Sequence, residues 1–146
     1  MQADQSILEN ASILFKNLED LLGSIGDTEL TVKLDGWPIG DQLFHIFKSM
    51  NTWFINPSEV STEVQTDVSS KENLSSFYFD VKDKIVRYLT GLSDDDLHQK
   101  PKNCSYTRLE LIFSQTRHTM YHLGMINALL NREAGKPLVY SGLRKS

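Results

Sequence analysis

Apolar residues recur at spacings of three and four between residues 6 and 22, which is the pattern of a helix with one buried stripe. Ser6 and Glu9 fit a capping box, in which a hydroxyl and a carboxylate bind free backbone N–H groups at a helix start. Gly23 and Gly26 offer positions at which the helix can end. We therefore predict a first helix over residues 6–22.

A second apolar stripe lies between residues 38 and 55. Pro38 suits the first turn of a helix, because the N–H that proline lacks would have no partner there. The pair Asn56–Pro57 ends this helix, and the polar residues 57–69 predict a loop. The predicted buried positions are Leu43, Ile46, Phe47, Met50 and Phe54.

A third helix is predicted over residues 70–89 and ends at Gly91. Either Ser69 or Ser70 can cap its start, and Ser69 with Glu72 fits a capping box.

The fourth helix is predicted to start at Thr107, which fits a capping box with Glu110. It continues to about Arg132, and Gly135 followed by Pro137 ends it.

Four helices of this length, joined by loops, predict an all-α protein with a four-helix-bundle fold. The stretch "SDDDLHQK" after the third helix predicts one short helical turn with acids at its positive end. Residues 30–34 are the only candidate for a strand. We assign residues 1–146 to a single domain, since a chain of this length can bury its own core.

Composition narrows the function classes. The net charge is −4 and no cluster of Lys and Arg occurs, so we expect no nucleic-acid binding. No apolar run approaches the roughly 20 residues that span a bilayer, so we expect no membrane insertion. The N-terminus lacks the apolar centre of a signal peptide, and the single cysteine, Cys104, allows no internal disulfide. We expect a soluble cytoplasmic protein.

Candidate chemistry lies in "RHTMYHLG", residues 117–124. His118 and His122 are four residues apart, so they project from one face of the fourth helix, about 40° apart. That face also carries Leu111 and Leu129, so the imidazoles point towards the core and need partners for their nitrogens. The pair alone fits either half of a metal site or two hydrogen-bonded histidines. A zinc-protease helix is disfavoured, because Thr119 occupies the position where that motif has Glu.

A metal site needs further ligands, and the candidates are His45 and His98. His98 follows three aspartates, which predicts a solvated position. His45 lies opposite the apolar stripe of the second helix, on a face shared with Asp41 and Ser49. This face is either solvated or the wall of a polar pocket flanked by Trp53, and periodicity alone favours the solvated alternative.

Two segments resemble the DinB-like (damage-inducible) four-helix-bundle family. "WPIGDQLFHIFKSMNTWF" is similar to the second-helix signature of that family, a Trp followed by a helix start and a His. "RHTMYHLGMINALLNREAGKP" is similar to its last core helix, with two histidines four apart, a Gly and a Gly-x-Pro exit. The resemblance implies an all-α DinB-like four-helix bundle with long crossover connections.

The resemblance also implies a metal site made of His45, His118 and His122. Such proteins hold a divalent metal ion, zinc, nickel or iron, and leave open positions for water or substrate. The implied function is metal-dependent transfer of a low-molecular-weight thiol, with a small-molecule substrate and a homodimeric assembly.

Other functions stay open. They are metal-dependent hydrolysis, non-catalytic metal or ligand binding in a stress-related bundle, and an interaction module without metal. Asp41 lies one turn before His45 and is our candidate catalytic residue, either as a proton acceptor or as a partner for a ligand imidazole. A solvated acid is the alternative role. Gln115, Tyr121 and Trp53 are candidates for the lining of the cleft, and a catalytic role for Cys104 is disfavoured.

Overall fold

The computed structural model describes residues 5–58 and 65–142. All four predicted long helices are present. The short helical turn predicted between the third and fourth of them is also present. Residues 59–64, part of the predicted loop 57–69, lie outside the described residues. The helices are α1 (Gln5–Ser24), α2 (Ile39–Trp53), α3 (Lys71–Thr90), α4 (Asp94–Leu97) and α5 (Arg108–Ala134), with a 3-10 helix (Asp27–Thr31) and strands β1 (Lys33–Leu34) and β2 (Trp37–Pro38) between α1 and α2.

The four long helices form a bundle. Helix α2 packs against α3 and α5, and α1 packs against the same two helices. Helices α1 and α2 therefore occupy opposite corners, as do α3 and α5. The connections 25–38 and 91–107 each join opposite corners, so the predicted all-α bundle with long crossover connections is confirmed.

The core contains the predicted stripes. Every predicted buried residue of α2 is at most 1% exposed, which confirms the 3.6-residue periodicity on which the prediction rests. Helix α1 supplies buried apolar side chains from the corner opposite α2. Its buried side chains include Leu14, Phe15, Leu18, Leu21 and Leu22.

Helix boundaries follow the polar signals in most cases. The capping box of Thr107 and Glu110 forms at the start of α5, and Gly135 ends that helix with a φ of 65°. At α3, Ser70 is the cap and accepts a hydrogen bond from the backbone N–H of Asn73. The alternative cap, Ser69, instead donates its hydroxyl to Asp67.

One helix start differs from the prediction. Helix α1 already includes Gln5, so Ser6 lies within its first turn and not at the predicted cap position.

A β-hairpin precedes α2. Its first strand, β1, lies within the candidate strand 30–34, whereas residues 30 and 31 belong to the 3-10 helix, and the second strand was not predicted. Leu34 pairs with Trp37, and the turn residues Asp35 and Gly36 have φ values of 50° and 75°. Asp-Gly is a preferred sequence for such a tight turn, because both positions need positive φ. The hairpin holds Pro38 in extended backbone, so α2 begins one residue later than predicted.

The C-terminal residues 136–142 are held by asparagine side chains. Asn127 donates to the carbonyl of Val139 and accepts from its N–H, both at 2.9 Å. Asn17 makes the same pair of bonds with Ser141. Each side-chain amide satisfies a backbone N–H and a backbone carbonyl that a neighbouring strand would otherwise have to pair with. This segment is thereby fixed against α1 and α5.

No helix within the described ranges is long and apolar enough to cross a membrane.

The start of α2 is fixed by a close backbone approach, from which we derive a test. A Cβ on Gly40 would collide with the backbone carbonyl of Val68 and lie 3.4 Å from that of Leu30. We expect Gly40→Ala to lower the free energy of unfolding by about 3 kcal/mol, because backbone atoms cannot rotate away. Urea denaturation followed by circular dichroism measures this.

The matched control is Gly124→Ala in α5, where no atom of the described residues beyond the adjacent residues and the local helix backbone lies within 4 Å of the added methyl group. Replacing this helical glycine should stabilise the protein by about 0.5–1 kcal/mol. Equal stability of the two variants would contradict the proposed collision.

Candidate metal centre

His45, His118 and His122 come together between α2 and α5. His45 faces the two α5 histidines, while Trp53, two turns further along α2, lines a cavity with Ser114, one turn earlier on α5. The two helices therefore run antiparallel. This packing brings residues 73 positions apart in the chain into contact.

The three imidazoles point their Nε2 atoms at one another. His45 Nε2 lies 3.3 Å from His118 Nε2, and His122 Nε2 lies 3.1 Å from the same atom. One ligand nitrogen from each ring lies within 4.8 Å of the other two. In a tetrahedral site with metal–nitrogen bonds of about 2.0–2.1 Å, two ligand nitrogens are about 3.3 Å apart. The observed spacing matches that geometry.

Hydrogen bonding satisfies this cluster less well than a cation would. His118 Nε2 contacts two other ring nitrogens but has either one proton or one lone pair to offer them. A cation among the three lone pairs satisfies all of them at once. Within the described part of the chain, these residues are the only cluster of this kind among His, Cys, Asp and Glu.

Aromatic rings form the walls of the cluster. The Trp37 indole lies edge-on to His45 and to His122, with ring centroids 5.5 and 5.7 Å apart. On the solvent side, the exposed ring of Tyr121 contacts His122 at 5.4 Å. The hairpin positions Trp37, so a connection outside the bundle shapes the site.

Gln115 supports His118 from behind. Its side chain is buried. The amide nitrogen lies 3.4 Å from His118 Nδ1 and 3.3 Å from the hydroxyl oxygen of Thr119. A metal-binding imidazole usually donates its second N–H to an acceptor, which fixes the ring. The Gln115 atom nearest Nδ1 is the amide nitrogen, so the side chain becomes such an acceptor only when its amide is turned by 180°.

All three histidines are held in the neutral form that binds metals. Burial lowers the pKa of His118, and burial followed by the charge of His118 lowers the pKa of His45. Burial is also the largest cause for His122, and the neighbouring His118 and His45 add to it, which lowers its pKa to about 4. The Nδ1 atom of His122 is buried and has no hydrogen-bond partner among the described residues.

The cluster opens into a cleft of about 310 Å³. The residues that line it are His45, Ser49, Trp53, Ser114, Gln115 and His118. The hypothesis of a polar pocket beside His45 thus describes the structure better than a freely solvated face. Of the three candidates for the lining, Gln115 and Trp53 line the cleft and Tyr121 does not.

The other predicted residues lie outside the cluster. Asp41 is in the first turn of α2 and makes no hydrogen bond to a histidine in the described ranges, so its catalytic role stays a prediction. His98 is exposed at the end of α4, as expected. Cys104 is half-buried and does not line the cleft.

Two contributions were missed by sequence reasoning. Trp37 entered only as part of a motif, although its position directly after an Asp-Gly turn indicates a fixed side chain. Ser114 lies one turn before His118, and that spacing on one helix face was the available signal.

The lowered pKa of His122 predicts acid sensitivity of the metal-free protein. Below pH 6.5 the unfolded chain binds a proton that the folded chain resists down to about pH 4. The free energy of unfolding should therefore fall as the pH decreases through this window. Thermal denaturation in chelator at several pH values measures the effect, and His122→Gln should reduce it; an equal loss in both proteins would contradict the assignment.

Comparisons with known proteins bear on the fold. No family model matches the chain, and no curated protein does. Among solved structures, a DinB-like protein from Bacillus cereus ATCC 10987 is similar over 98% of this chain and 99% of its own, with a TM-score of 0.74 and 17% identity. The expected resemblance is thus confirmed at the level of architecture: the chain has the fold of a DinB-like protein.

Proposed function

We propose that His45, His118 and His122 bind a divalent metal ion and that the protein is a metal-dependent enzyme that transfers a small thiol. The observation that carries this proposal is the convergence of three Nε2 atoms at the spacing of a tetrahedral site, beside an open cleft. Three protein ligands with an accessible further position are typical of catalytic metal sites, whereas structural sites are closed.

The bound ion would supply positive charge that lowers the pKa of a water or thiol joining it. The residues of this chain provide the rest. The three neutral imidazoles leave that charge undiminished, and Gln115 orients the ring of His118. Trp37 shields one side of the cluster from water, while the cleft beside Ser49 and Trp53 admits the ligand.

The lower pKa of a free thiol favours it over water as the activated group. A free thiol has a pKa of about 8.5, whereas bulk water has a pKa of about 15.7 and needs far stronger activation. Asp41, one turn from His45, is the proposed proton acceptor for the thiol.

The second candidate is a bundle that binds metal without catalysis. It shares the metal site and differs only in what the cleft accepts. Metal identity among zinc, nickel and iron is left open by an all-nitrogen donor set, because such ligands suit all three. The homodimer expected from the resemblance remains a prediction.

Metal analysis tests the site directly. Protein purified without an affinity tag should contain a single divalent ion per chain by mass spectrometry. His45→Ala and His122→Ala should each lose most of it, because two imidazoles hold a divalent ion weakly. The control is His98→Ala, which removes an exposed histidine outside the cluster and should keep full occupancy. Full occupancy in His45→Ala would remove His45 from the site.

Thermal denaturation with thiols distinguishes the proposed thiol-transfer enzyme from a bundle that binds metal without catalysis. Bacillithiol, mycothiol and glutathione are the compounds to test, each in excess over the protein. The substrate thiol should raise the melting temperature of the wild type, because a ligand that binds only the folded state stabilises it. The shift should vanish in His122→Ala. No shift with any thiol would favour the non-catalytic bundle.

A further inference from the structure

The cleft continues past the histidines into a second cavity of about 340 Å³, here called the outer cavity. The two cavities share Trp53 and Ser114, so they form one continuous groove along α2 and α5. Residues lining the outer cavity include Trp53, Tyr106, Glu110, Phe113, Ser114 and Arg117.

Three aromatic rings of the outer cavity are unusually exposed. Trp53, Tyr106 and Phe113 are 44%, 51% and 50% accessible, although they come from three different segments of the chain. Exposed apolar side chains scattered singly need no explanation, but several around one cavity are typical of a binding site.

Arg117 is the cation of the outer cavity. It makes no hydrogen bond or ion pair with any residue of the described ranges 5–58 and 65–142. The acid in the same cavity, Glu110, is already engaged, since its Oε1 accepts from the N–H and the hydroxyl of Thr107. The guanidinium therefore offers its planar pair of donors to an anion from solution.

The groove has the length of a small organic molecule. Eight residues separate His45 from Trp53 on α2, and eight separate Glu110 from His118 on α5. At about 1.5 Å per residue this is about 12 Å. A ligand whose reactive end reaches the histidines can therefore place a second group in the outer cavity.

We propose that the outer cavity binds small carboxylates with an aromatic or apolar body, with the carboxylate paired to Arg117 and the body packed on Trp53 and Phe113. This proposal rests on the proposed function in one respect, the assignment of the ligand's reactive end to the histidine cluster. Selectivity for an anion arises from the guanidinium, and selectivity for an apolar body arises from the rings.

The test uses 3-phenylpropionate as the probe and the alcohol 3-phenylpropan-1-ol as its uncharged counterpart. Isothermal titration calorimetry on the full chain should show tighter binding of the carboxylate. Arg117→Gln should weaken carboxylate binding about tenfold or more, the effect of losing a charge-assisted hydrogen-bond pair. It should leave binding of the alcohol unchanged. The carboxylate affinity of Arg117→Lys should lie between those of the wild type and Arg117→Gln, because lysine keeps the charge but not the paired donors.

The matched control is Arg132→Gln on the same helix, where the guanidinium is exposed and paired with Glu133. It should bind the carboxylate like the wild type. Equal carboxylate affinity in wild type and Arg117→Gln, or no binding to either, would overturn the proposal.

His122→Ala separates this proposal from the proposed function. The variant should still bind 3-phenylpropionate through Arg117 even after it has lost metal. Binding that is lost in His122→Ala but kept in Arg117→Gln would mean that the carboxylate joins the metal ion instead, and would also overturn the proposal. If the wild type contains no metal and yet binds the carboxylate through Arg117, the proposed function fails and this inference stands.

Discussion

The placement of three imidazoles between two antiparallel helices is the constraint on which the site depends. Burying these rings costs free energy unless their nitrogens find partners, and the cluster brings three of those nitrogens to one point. The packing of α2 on α5 fixes the distance between His45 and the two histidines of α5. The hairpin and Gly40 in turn fix where α2 begins, so distant parts of the chain determine the geometry around His45.

The bundle could be predicted from the sequence because its signals are local. Apolar spacing defines each helix, and single residues such as Thr107 and Gly135 mark boundaries. Errors occurred where backbone pairing, and not the spacing of apolar side chains, decides the conformation. The hairpin at Asp35 is an example, since its two short strands exist only because they pair with each other and continue into α2.

The site was predictable in part. The spacing of His118 and His122 indicates a shared face, which the structure shows. The orientation of His45 could not be derived from periodicity, because a helical wheel separates buried from exposed faces and a cleft is neither. Trp37 contributes through a position that only tertiary packing brings beside the histidines, which is why sequence spacing did not identify it.

The separation of 73 residues between His45 and His118 has a consequence for folding. A bridge across these two positions closes the middle half of the chain, residues 45–118, into a loop. For cross-links, the chain-entropy model gives about 4 kcal/mol for a loop of this size. A filled histidine cluster would then act as a reversible cross-link between α2 and α5. The conditions under which the site is filled would therefore also determine the stability of the bundle.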